Sequence, residues 1–197
     1  ATGEGQHIDM ALLDTQVSVL GNQNLNYLVA GNAPVQMGNA HMNIAPYEVL
    51  PVRDGFMILA VGNDGQFQRF CKVVGLERLA GDPDYATNPA RVTNRARLRE
   101  TMIETLSNWD RDKLLAELEK AAVPASPIND IAQMFADPQV LARGMRMDLE
   151  DSQGNVLPSV RAPMLMSATP LRYDRPSPRL GEHTDEVLAE LEKKEER

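Results

Sequence analysis

Cysteine occurs once in the 197 residues, at Cys71. No internal disulfide can form, and a reducing compartment, the cytoplasm, is the expected location. Histidine occurs three times. His7, His41 and His183 share no metal-ligand spacing with one another or with carboxylates, so no metal site is expected. Aromatic residues make up 5% of the chain, with Trp109 the single tryptophan against ten methionines. Such a core is adaptable and has few rigid anchors. Positive charge is the scarcer sign, with 20 basic against 28 acidic residues and a net charge of -8. That balance argues against nucleic acid as a partner, yet leaves room for an anionic small molecule held by a few local donors. No run approaches the ~20 apolar residues of a membrane span. The opening ATGEGQHID has neither a basic nor an apolar signal region, so no secretory signal is expected. There is no G-x-S-x-G and no Walker loop. Gly3-Glu4-Gly5-Gln6-His7-Ile8 starts like a dinucleotide fingerprint but lacks the third glycine and a preceding strand.

What is present fits a folded α+β chain, at 43% hydrophobic and 24% charged. The pattern predicts a helix from His7 to Ala30, kinked near Gly21 and the asparagines at 22, 24 and 26. Composition makes Gly31 to Pro46 a loop. Tyr47–Arg53 and Phe56–Val61 read as strands of a hairpin, with Asp54-Gly55 in a type I′ turn. Both alternating sets of the second strand are apolar, so cover is expected on both of its faces. Asn63 or Asp64 caps a helix that runs to Val74 and stops at Gly75. Asn88 with Pro89 begins a helix to about Ser107, and another follows Asp110. PASPIND is an extended connection into short helices at Ile131–Phe135 and Pro138–Arg143. Met145 to Tyr173 reads as edge strands, because Gly154, Pro158 and Pro163 interrupt it. PSPRLG is a linker. The last helix has acids at its start and Lys193, Lys194 and Arg197 at its end, as the helix dipole favours. The first and last helices flank a compact α+β middle and have no evident partner within the chain.

Four features invite a chemical reading. The loop residues Gly38, Asn39, His41 and Asn43 offer close backbone approach and side-chain donors beside a rigid hairpin. Preorganised donors of that kind suit an oxyanion or a thioester carbonyl. A solvent loop of small polar residues is the alternative. Glu48 is either a general acid/base or an outward-facing strand residue. His183 stands at a helix N-terminus, where the neutral imidazole is favoured, or it is a plain first-turn residue. Cys71 sits beside Phe67, Phe70 and Val74 in a helical register and reads as a buried thiol.

Several stretches together resemble the C-terminal half of the class III CoA-transferases, the formyl-CoA transferase group. They are TGEGQHIDMALLD at Thr2–Asp14, NIAPYEVLPVRDGFMILAVGNDGQF at Asn43–Phe67 and ADPQVLARGM at Ala136–Met145. RAPMLMSATP at Arg161–Pro170 and LGEHTDEVLAEL at Leu180–Leu191 complete the set, in the family's order and over nearly the whole chain. The resemblance implies a Rossmann-like large domain that binds CoA, a smaller α+β domain, and a homodimer of interlocked rings. On that basis residues 1–31 are an arm from the large domain and 32–127 the small domain. Residues 128–197 are a linker, edge strands and a helix returning to the large domain.

The implied reaction moves CoA between an acyl-CoA thioester and a small, dicarboxylic acid. A catalytic aspartate forms an acyl anhydride, which splits one hard transfer into easier steps. Coenzyme A enters as a thioester substrate, with no tightly bound cofactor, no membrane and no nucleic acid. In the family that aspartate lies upstream of the TGxGQxID segment. Asp9 and Asp14 do not match it, no catalytic residue is expected here, and this portion alone is expected to be inactive. The loop Gly38–Asn43 falls where formyl-CoA transferases carry a glycine-rich loop, with GNAHMN in place of the glycines. The superfamily also holds α-methylacyl-CoA racemases, in which an acidic residue near Glu48 belongs to the active site. VGNDGQF resembles transferases of small dicarboxylic acids. A transferase is thus the leading expectation, with a racemase-type enzyme or a non-catalytic binding module as alternatives.

Overall fold

The asparagine-rich start of the chain carries two short helices, α1 (Leu12–Val19) and α2 (Asn22–Ala30), in the computed structural model, which describes residues 3–195. Thr2 and Arg197, and the side chains beyond Glu192, lie outside what is described. Gly21, at φ +53, separates the two helices where the kink is predicted. The helix does not begin at His7. Ala11 precedes α1 without a side-chain cap, and Ile8 and Met10 are 70% and 75% exposed. Those first turns lack the packed face from which short helices draw their stability.

Strands β1 (Tyr47–Val52), β2 (Gly55–Ala60) and β3 (Ala125–Pro127) form an antiparallel sheet in the order β1-β2-β3. Glu48, Leu50 and Val52 of β1 share the buried face with Met57 and Leu59 of β2. The opposite face carries Phe56, which is 55% exposed, so the second strand is covered fully on one side only. The hairpin register pairs Val52 with Gly55 and leaves Arg53 and Asp54 as the turn. Neither has a positive φ, so the predicted type I′ turn at Asp54-Gly55 is not formed. The turn is held from outside instead. Arg53 N–H donates to the Trp109 carbonyl, Asp54 accepts from the Arg111 N–H at 2.8 Å, and Arg53 pairs with Asp110.

Helices α3 (Asp64–Val74), α4 (Glu77–Ala80), α5 (Asn88–Thr93), α6 (Arg95–Leu106) and α7 (Arg111–Lys120) complete this body. Asn63 caps α3 by accepting from the Gln66 N–H at 2.9 Å, and Gly75 ends it at φ +78. Phe67, Phe70, Cys71 and Val74 of α3 face the core at i, i+3, i+4 and i+7, where Leu98, Met102, Leu114 and Leu118 meet them. The predicted helix from Asn88 to Ser107 is interrupted at Asn94, and its cap is Thr87 rather than Asn88. The first compact unit ends at Ile128.

The second unit starts at Asn129. Asp130 and Gln133 form a capping box on α8 (Ile131–Ala136), and Asp137 caps α9 (Pro138–Ala142). β4 (Arg146–Glu150) and β5 (Val156–Val160) pair antiparallel. Pro158 is tolerated because both strands are edges. α10 (Thr184–Glu195) ends the described chain, and no described helix is long and apolar enough to cross a membrane.

Candidate functional site

β1 is an edge strand, and the loop before it folds back along that edge. The Val49 N–H donates to Asn39 Oδ1 at 2.8 Å, and the His41 N–H donates to the Tyr47 carbonyl at 2.9 Å. These two links satisfy edge groups that would otherwise invite foreign strands. His41 stacks on Tyr47, with ring centroids 5.4 Å apart and planes 18° apart. Its Nδ1 accepts from the Asn43 N–H at 3.1 Å. In the neutral ring the proton therefore sits on Nε2, which is left as a donor. Asn43 Nδ2 donates to Asn26 of α2 at 3.1 Å.

A cleft of about 990 Å³ lies between the loop and the first two helices. Val17, Leu20, Tyr27 and Leu28 wall one side, and Val35, Met37, Gly38 and Met42 the other. The lining is mainly apolar with a few amides, the composition of a small-molecule site. Gly38 is the predicted loop residue that lines it. Its φ of +61 suits glycine, although a Cβ there would meet nothing within 4 Å. Asn39, His41 and Asn43 do not line the cleft; they alternate in sequence with Gly38, Ala40 and Met42, which do, and they hold the loop's shape.

Glu48 is not outward-facing. It is buried at 4% exposure, and its carboxylate accepts from Arg99 Nε at 2.7 Å. Its parity with Leu50 and Val52, which put it on the core face, was the available signal. It is not among the residues that line the cleft. Cys71 is fully buried, and burial pushes its thiol up to about 12 despite the opposing charge of Arg91. That thiol is no nucleophile at neutral pH. His183 is half-buried just before α10, in the second unit, and its carbonyl accepts from the Val187 N–H. Asp9, before α1, and Asp14, within it, both lie exposed. Among the described residues, no group of three or more His, Cys, Asp or Glu is placed to hold a metal ion.

Sequence reasoning missed a row of polar side chains at 88, 91, 95 and 99. Asn88 donates to the Asn43 carbonyl at 2.9 Å and accepts from the Ala45 N–H at 3.1 Å. Arg91 donates to the Ala45 carbonyl at 2.6 Å, and Arg95 to those of Met42 at 2.9 Å and Ile44 at 3.5 Å. Arg99 takes Glu48. The spacing of three, four and four residues marks one helical face and could have been noticed.

An α+β body with an apolar cleft under a pinned loop has the composition of a small-molecule site. The model of CoA-transferase family III matches residues 1–184, and the chain belongs to that family. It is 59% identical over 191 residues to a succinate–glutarate CoA-transferase of Agrobacterium fabrum, covering 97% of this chain and 48% of that protein. It is 36% identical to the human succinyl-CoA:glutarate CoA-transferase, covering 96% and 43%. A crystal structure of a CAIB/BAIF family protein from Brucella suis superposes with a TM-score of 0.79 at 52% identity, over 96% of this chain and 49% of that one. A Mycobacterium tuberculosis protein, at 18% identity and a TM-score of 0.72, shares the fold. The chain spans about half the length of the curated relatives it matches.

Proposed function

We propose that this chain forms the substrate-side portion of a CoA-transferase that moves CoA between an acyl-CoA thioester and a small dicarboxylic acid. The observation that carries this reading is the 59% identity, over 97% of the chain, to an enzyme named for succinate and glutarate. The site is compatible with it. The Gly38–Asn43 loop walls an apolar cleft and keeps the His41 Nε2–H and the Asn39 amide N–H₂ available as donors, the equipment a thioester oxyanion needs. The aspartate that attacks the thioester belongs to sequence that the relatives possess beyond the half matched here. In this reading coenzyme A is a substrate, and the enzyme is a cytoplasmic homodimer. Residues 1–31 and 128–197 connect the 32–127 domain to the remainder.

The racemase reading loses support because its acid, Glu48, is buried and bound to Arg99. The test is turnover by the complete protein, incubated with succinyl-CoA and glutarate and followed by mass spectrometry. Glutaryl-CoA formation is expected, with none from the 197-residue chain alone. Failure of the complete protein to transfer CoA to any dicarboxylic acid would leave the binding-module alternative standing.

A further inference from the structure

Four consecutive carbonyls of the loop, from Met42 to Ala45, all accept hydrogen bonds from the α5–α6 face. Such a run of backbone acceptors, each met by a side chain from one helical face, fixes a loop that has no ladder of its own. The donors differ in what else they hold. Arg91 has no exposed surface. It also binds Asp64 and the carbonyls of Tyr85 and Ala86, and lies 4.5 Å over the Phe67 ring, so it belongs to the core. Among the described residues, Arg95 donates to loop carbonyls only, and the Asn88 amide is likewise devoted to Asn43 and Ala45.

We propose that Arg95 and Asn88 are positioning residues for CoA transfer: they clamp the Met42–Ala45 backbone and so aim the His41 imidazole beside the cleft. The link from clamp to ring is short. Arg95 holds the Met42 carbonyl, Asn88 holds the Asn43 carbonyl, and the Asn43 N–H donates to His41 Nδ1. Among the described residues, nothing comparable holds the loop upstream of Asn39. Ala40 N–H to the Met37 carbonyl is the one backbone bond described between Asn32 and Asn39's edge contact. The clamp therefore divides the segment into a pinned half that carries His41 and a freer half that carries Gly38.

This inference rests on the transferase reading, and one experiment separates the two. In the complete protein, Arg95→Ala and Asn88→Ala are compared with the parent for CoA transfer and for amide hydrogen exchange. Transfer by the parent tests the function, and its absence overturns that reading on its own. Given transfer, each variant is expected to lose roughly tenfold or more in kcat with KM changed less than threefold, since a misplaced donor costs transition-state stabilisation. Exchange is expected to accelerate at 39–45 and stay unchanged in α3 and α6. Arg95→Lys restores one carbonyl contact of the two and is expected to fall between. An unchanged kcat, or exchange that rises throughout the core instead of in the loop, would overturn the positioning role. Should Arg95→Ala fail to fold, Asn88→Asp decides: it keeps the acceptor for Ala45 and loses the donor to Asn43, and parental kcat in it would refute the clamp.

Discussion

Arg91 and Cys71 lie in the same core, and they differ in how far the sequence announced them. Cys71 follows the apolar register of α3, so its burial is legible from Phe67, Phe70 and Val74 alone. Arg91 gave no such signal. Its guanidinium is buried because the Ala45 carbonyl and Asp64, distant in sequence, converge on it with the nearby Tyr85 carbonyl. Arginine tolerates this when its donors are met. Burial raises the Cys71 thiol from an ordinary 9.0 to about 12. Below pH 9 both folded and unfolded chains keep the proton. As pH rises from 9 toward 12 only the unfolded chain releases it, so stability falls, at a slope of at most about 1.4 kcal/mol per pH unit. Cys71→Ala is expected to flatten that alkaline limb in urea titrations between pH 8 and 10.5. A variant whose limb is as steep as the parent's would contradict this assignment.

Among the elements, α3 shows local chemistry and tertiary packing in agreement. Asn63, the amphipathic spacing and Gly75 each point to the same helix. Asn63→Ala is expected to lower stability by about 1 kcal/mol, the usual worth of such a cap, measured by denaturant unfolding. No change would mean that another group takes over the Gln66 N–H. At α5 the two levels disagree. Asn88 before Pro89 has the look of a cap, yet its amide serves the loop and Thr87 accepts from the Ala90 N–H instead. The hairpin is similar. Asp-Gly marks a turn correctly, but the contacts of Arg53 and Asp54 with 109–111 choose its geometry. Short signals thus located elements well, and long-range partners decided their details.

For the whole molecule, the informative surface is apolar and exposed. Leu12, Leu13 and Val29 are 90%, 73% and 84% exposed on α1 and α2, far more apolar area than a monomer's surface helices usually show. The relatives carry roughly as much sequence again beyond what this chain matches. That additional sequence is expected to cover these faces. The 197-residue chain should then bind a hydrophobic dye such as ANS strongly, and the complete protein weakly, at equal molar concentration. Equal fluorescence from both would show that the helices stay bare in the complete protein.

What the sequence determined by itself was whatever depends on neighbours along the chain: helix periods, caps, glycine stops, strand alternation, and the family motifs in their order. The three-dimensional arrangement alone decided which polar groups meet. Glu48 found Arg99 as its partner, Asn88 left its helix cap for the loop, and Asn39 turned to the edge of β1. The physical reason is that a backbone carbonyl or amide must find a partner somewhere, and only the folded chain settles which side chain is within 3 Å or so of it.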